Sequence, residues 1–171
     1  MRVSIIGHRE VQDKENLFWR ISETVFELIE NEGADVFYFG GKGEFDALCC
    51  LAVTRLQELF PHIKTVYVSA GREEHENSRG DALNKNYNET YYPDSVRGSN
   101  KLCYVVRNVA MIEVCDVLLT YCDTNYEPPQ RKRKSQSTSP TSENKKPKSG
   151  TQMAVEFAKK RKKRIINLFE R

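Results

Sequence analysis

Apolar residues recur along this chain at two alternating periods. Residues 2–6 form a short β-rich run that stops at Gly7, the pattern of a buried strand. Between residues 14 and 32, Leu17, Phe18, Ile21, Val25, Leu28 and Ile29 fall at spacings of three and four. That spacing predicts an amphipathic helix, and Gly33 closes it. Residues 36–39 predict a second strand, ended by Gly40-Gly41-Lys42-Gly43. Helical spacing resumes over 44–59 through Phe45, Leu48, Leu51, Ala52, Leu56 and Leu59, and Pro61 stops it. Residues 65–68 read as a third strand, 101–115 as a helix and 117–121 as a fourth strand. A last helix runs from Gly150 to about Lys163, and residues 165–168 give a fifth short strand.

Two stretches break this rhythm. Residues 71–99 are polar and punctuated by Gly80, Pro93 and Gly98, and read as one long irregular segment. Loops of that length are usually functional or mobile. Residues 124–149 hold no aliphatic residue, cannot bury a core and read as a disordered basic insert. The strands outside these stretches are short and apolar on both faces, and they alternate with helices. The expected fold is α/β: one Rossmann-like, three-layer domain over residues 1–171, with a mainly parallel sheet of about five strands.

Composition narrows the class. A length of 171 residues, with 39% apolar and 30% charged, suits one compact domain. No apolar run reaches the roughly 18–20 residues of a membrane span, and the first strand is too short for a signal peptide. Five cysteines without a Cys-x-x-Cys pair argue against a disulfide framework or zinc ribbon and for a reduced, cytoplasmic compartment. Net charge is +3, but residues 1–127 carry −8, residues 128–150 carry +6 and residues 151–171 carry +5. The basic runs Arg131–Lys134 and Lys145–Lys148 invite nucleic-acid phosphate, although a solvated loop is the plainer reading.

Ligands of open parallel sheets bind beyond the carboxyl ends of the strands. Three turns there carry suggestive residues: Gly7-His8-Arg9, Gly40-Gly41-Lys42-Gly43-Glu44-Phe45-Asp46 and Ser149-Gly150-Thr151. Glycines let backbone approach a phosphate, and helix starts supply N–H groups. A Walker sequence is missing, and so is the dinucleotide fingerprint after the first strand. No metal-ligand spacing and no cofactor motif stands out, and Cys49-Cys50 look like small core residues.

Four segments, in order, resemble the SLOG superfamily, the Rossmann-like group that includes Smf/DprA and LOG proteins. They are Ile6–Arg9, Gly40–Asp46, Arg107–Met111 running to Asp116–Leu119, and Ser149–Thr151. The small bacterial YpsA-like branch, which opens with a strand and Gly-His-Arg, is the nearest in pattern. The resemblance implies binding of a nucleotide-derived ligand at the strand ends by a bacterial or phage protein. LOG members also cleave nucleoside monophosphates, using an Arg that Arg107 matches and a Gly-Thr loop followed by carboxylates. Here Met153 and Ala154 stand where those carboxylates are expected, and Glu156 lies farther on.

Cleavage of a glycosidic bond needs a carboxylate beside a cationic sugar. Its loss favours binding, or sensing, without turnover. The expected ligand contacts are Gly7, His8, Arg9, Gly40, Gly41, Gly43, Asp46, Arg107, Asn108, Ser149, Gly150 and Thr151. The enzyme alternative, a nucleotide N-glycosidase, would rest on Asp46, Glu44 or Glu156 together with Arg107. A third alternative is a nucleic-acid-binding accessory protein acting through the insert. Several choices stay open at this point: Asp46 as a helix-dipole acid or a ribose contact, His8 as a phosphate donor or a tie for its turn, and Arg107 as a ligand contact or a salt-bridge partner of Glu113 or Asp116. Tyr87, Tyr91 and Tyr92 either stack on a base or pack the long loop. A homodimer is the default assembly, with no membrane partner.

Overall fold

The computed structural model describes residues 1–78, 86–97, 102–127 and 148–169. Its strands are β1 (Arg2–Gly7), β2 (Val36–Phe39), β3 (Lys64–Val68), β4 (Glu89–Tyr91), β5 (Val117–Tyr121) and β6 (Arg164–Asn167). The helices are α1 (Lys14–Glu30), α2 (Glu44–Leu56), α3 (Arg72–Ser78), α4 (Cys103–Val114) and α5 (Gly150–Lys160). The strands form one sheet in the order β4-β3-β2-β1-β5-β6, and every pairing is parallel.

Strand alternation explains the three layers. Val3, Ile5, Phe37, Phe39, Val117 and Leu119 point to the side where α1 and α2 bring Leu17, Ile21, Val25, Phe45 and Val53. Ile6, Val68 and Leu118 point to the other side, against Met111 and Ile112 of α4 and Ala154 and Ala158 of α5. Both faces of the sheet are thus covered, as a parallel sheet requires. Ser4, Thr65 and Thr120 are buried polar exceptions, and the Ser4 hydroxyl donates to the Met111 carbonyl at 2.8 Å.

The expected α/β architecture is what the chain adopts, with six strands rather than about five. The sixth is β4, within the stretch expected to be irregular, which also holds α3 and a 3₁₀ turn at Asp94–Val96. β4 has no apolar period to reveal it. Among the described residues it pairs only with β3, and polar contacts set it there: Asn88 Oδ1 accepts from the Thr65 N–H at 2.7 Å and from the Thr65 hydroxyl at 2.9 Å. The expected insert at 124–149 also begins too early. Residues 124–127 form a fixed turn, whereas residues 128–147, with most of the basic runs, lie outside the described residues. Among the described residues, no helix is long and apolar enough to cross a membrane.

The sheet order reverses at β1. The turn after β1 leads to α1 on one face, and the turn after β5 leads towards α5 on the other, so a crevice opens between them. Backbone packing at its rim is tight. Gly43 has φ of +97°, and a Cβ there would lie 2.6 Å from the Arg9 Cα. Gly33, at φ of +69°, has open space around it. Gly43→Ala should therefore cost about 2 kcal/mol or more, from backbone strain plus collision, and Gly33→Ala only about 1 kcal/mol. Urea midpoints of the two variants check this ordering.

Candidate functional site

Three turns meet at the crevice, and a chain of hydrogen bonds links them. The floor is the turn from β2 into α2. Asp46, in the first turn of α2, reaches back to accept from the N–H groups of Gly40 and Gly41, both at 3.0 Å. Arg107 comes from α4, on the opposite layer, and its Nη1 donates to the Gly40 carbonyl at 2.7 Å. Its Nε and Nη2 donate to Asn108 Oδ1 at 3.3 and 3.0 Å. Gly40 is thus held through both its N–H and its carbonyl, and a Cβ there would lie 2.5 Å from the guanidinium. Arg107 and Asp46 are both buried.

Burial pushes the Asp46 carboxyl up to about 6, against the two amides and the Arg107 charge, which pull it down. The guanidinium also lies 5.5 Å from the centre of the Tyr104 ring, which Lys42 covers at 5.9 Å. Two cations therefore converge on one exposed tyrosine at the end of β2.

The second turn follows β1. The Glu44 N–H donates to the Arg9 carbonyl at 2.7 Å, and Glu44 Oε2 accepts from the Val11 N–H at 3.1 Å. Lys14 holds the other Glu44 oxygen at 2.6 Å, and these donors keep the carboxyl below its usual range. The Arg9 side chain is exposed and makes no ion pair among the described residues. Gly7 packs under Phe45, whose ring would lie 2.3 Å from a Cβ at that position.

His8 joins this turn to the third. Its Nε2 accepts from the Asp123 N–H at 3.0 Å, and its ring lies 4.4 Å from that of Tyr126. Burial lowers its pKa, so the ring is neutral near pH 7, and the hydrogen-bond network assigns the proton to Nδ1. Gln152 continues the chain, its Nε2 donating to the carbonyls of Asp123, Thr124 and Tyr126 at 3.2, 3.1 and 3.0 Å. Gln152 Oε1 accepts from the Ser149 N–H, and Ser149 Oγ accepts from the Gln152 N–H, closing a capping box on α5. The Gly150 and Thr151 N–H groups meet no acceptor among the described residues, and a Cβ at Gly150 would face open space.

These hydrogen bonds link the turns that carry the expected ligand contacts, and they assign several of those residues internal work. His8 ties its turn down, Ser149 caps α5, Glu44 braces the β1 turn and Asp46 clamps the β2 turn. Arg107 does not pair with Glu113 or Asp116, which hold Arg161 and Arg2. Glu156 pairs with Lys148 on the surface. Tyr87 packs between Phe39 and Tyr67, whereas Tyr91 and Tyr92 line a cavity beside β4. Tyr104, Tyr126 and Gln152 are not among the expected site residues. Of these, only Gln152 had a readable signal, the Ser-x-x-Gln spacing. Among the described residues, no three His, Cys, Asp or Glu side chains converge to hold a metal ion. No protein-family model matches the chain, and no curated protein matches it in sequence.

The raised Asp46 carboxyl has a pH signature. The folded state binds this proton more tightly than the unfolded chain, whose aspartates titrate near 3.9. Its contribution to stability is therefore greatest below about pH 4 and is lost as the pH rises through about 6. The difference should be on the order of 2 kcal/mol. Asp46→Asn should remove this slope, and urea titrations of both proteins at pH 4, 5, 6 and 7 read it directly.

Proposed function

We propose that this chain binds a nucleotide or nucleotide-derived phosphate ligand in the crevice and does not turn it over. The observation that carries the reading is convergence. Three glycine-bearing turns, a buried arginine and a helix start with two unengaged N–H groups meet at the reversal point of a parallel sheet. In this reading the Gly150 and Thr151 amides cradle phosphate, the exposed Arg9 closes over it, and Arg107 supplies fixed positive charge from below. The ordered resemblance of these turns to the SLOG superfamily supports the same ligand class. A cytoplasmic setting and pairing of two copies belong to the proposal as well.

What the carboxylates already do supports binding without turnover. Glu44 holds Lys14 and the Val11 amide, Glu156 holds Lys148, and Asp46 holds two amides in the floor. One observation favours the rival N-glycosidase reading: the Asp46 carboxyl, at about 6, sits in the range of a working acid or base.

Thermal unfolding against AMP, ATP, NAD, ADP-ribose and cyclic nucleotides tests the proposal. A ligand at about 100 times its Kd adds roughly 2.7 kcal/mol, which raises the midpoint by on the order of 5–10 °C. Gly150→Asp is the sharp variant, because open space receives the side chain and an acid in the first turn suits the helix. It should leave the unliganded midpoint within about 1 °C and weaken nucleotide binding about tenfold or more. Full binding by Gly150→Asp would remove phosphate from this helix start, and free base appearing in the wild-type sample would establish the enzyme.

A further inference from the structure

The ends of β3 and β4 lie on the same edge of the sheet as the crevice. There Arg72, His75, Glu76, Tyr91, Tyr92 and Arg97 surround a cavity of about 840 Å³. That volume falls within the roughly 300–1,000 Å³ range of small-molecule sites. Its walls suit a planar aromatic group near negative charge. Tyr92 forms a fixed wall, with the His75 ring stacked at 5.6 Å and the Arg97 guanidinium 5.7 Å from the ring centre. Tyr91 is 43% exposed and leaves ring surface open to stacking. Arg72 and Arg97 are held by Glu76 at 2.8 Å and Asp94 at 3.2 Å, exposed local pairs that give way cheaply to a stronger anion.

This cavity and the crevice share the carboxyl edge of the sheet. The Ser69 N–H donates to the Tyr91 carbonyl at 2.9 Å, which brings the ends of β3 and β4 together. Just beyond, a Cβ on Gly71 would meet nothing within 4 Å. β3 neighbours β2, where Lys42 and Arg107 flank Tyr104. At about 4.8 Å per strand, β4 lies roughly 10 Å from β2 and roughly 14–19 Å from β1 and β5.

We infer that the ligand is a two-part molecule of the dinucleotide class, lying along this edge with one nucleoside in the crevice and the other in the β4 cavity. The inference rests on the nucleotide-binding reading above and goes further by fixing the ligand's length and its second contact. The phosphates lie between the α5 helix start and Lys42, and the distal base lies on Tyr91 with Arg97 beside it. A nucleoside monophosphate is too short to reach from the α5 helix start to Tyr91.

Titration calorimetry with AMP, NAD and diadenosine diphosphate tests this, using the full chain, Tyr91→Ala, Tyr91→Phe and Arg97→Gln. At least one dinucleotide should bind tenfold or more tightly than AMP. Tyr91→Ala and Arg97→Gln should abolish that advantage and leave AMP affinity unchanged, while Tyr91→Phe keeps it. If neither dinucleotide exceeds AMP, or if Tyr91→Ala weakens AMP equally, the two-part ligand is wrong and the crevice reading stands. If none of the three binds, both fall.

Discussion

The backbone of one residue carries much of this architecture. Gly40 gives its N–H to Asp46 of α2 and its carbonyl to Arg107 of α4, so helices from opposite layers grip the same unit at the sheet edge. Apolar packing holds the layers together but is non-directional. The polar grip adds direction and sets where the two layers stand at the crevice. It is also demanding. A carboxylate and a guanidinium this buried are tolerated only when each is paired and hydrogen-bonded. Here two amides, a carbonyl and Asn108 share that work, and the glycine is required because any side chain would strike the guanidinium.

The layers were legible in the sequence because burial imposes period. β1, β2, β3 and β5 are apolar on both faces, and α1, α2, α4 and α5 carry stripes at three and four. Boundaries strayed where the pattern outran the hydrogen bonds: α2 ends at Leu56 although apolar spacing continues to Leu59. The stretch after β3 was opaque for a physical reason. α3 reads Arg-Glu-Glu-His-Glu-Asn-Ser, with no apolar face, and β4 is three residues on an edge. What holds β4 is the side chain of Asn88 on Thr65 and the Lys64–Glu89 pair, tertiary polar contacts that no periodicity announces.

The site was legible in kind but not in partnership. The glycine turns and Arg107 could be singled out, yet which groups they serve depends on contacts between distant segments. Helical geometry alone already disfavoured one candidate partner of Arg107. Glu113 lies six positions on, and side chains meet on a helix at three or four. Asp46 shows the limit most clearly. A first-turn acid is ordinarily a dipole partner, and only the fold reveals that it bends back to hold the preceding turn.

The same contacts support the proposed separation of binding from turnover. Stabilising a sugar cation takes a carboxylate aimed at the ligand, and each candidate in this rim is aimed at the protein. Redirecting Asp46 would strand two amides and leave the Arg107 charge without its buried counterpart. The donors tell the opposite story. The Gly150 and Thr151 amides and the Arg9 side chain project at the rim without internal acceptors among the described residues. In the proposed reading, a crevice whose acceptors serve the fold and whose donors remain available holds an anion rather than cleaving it.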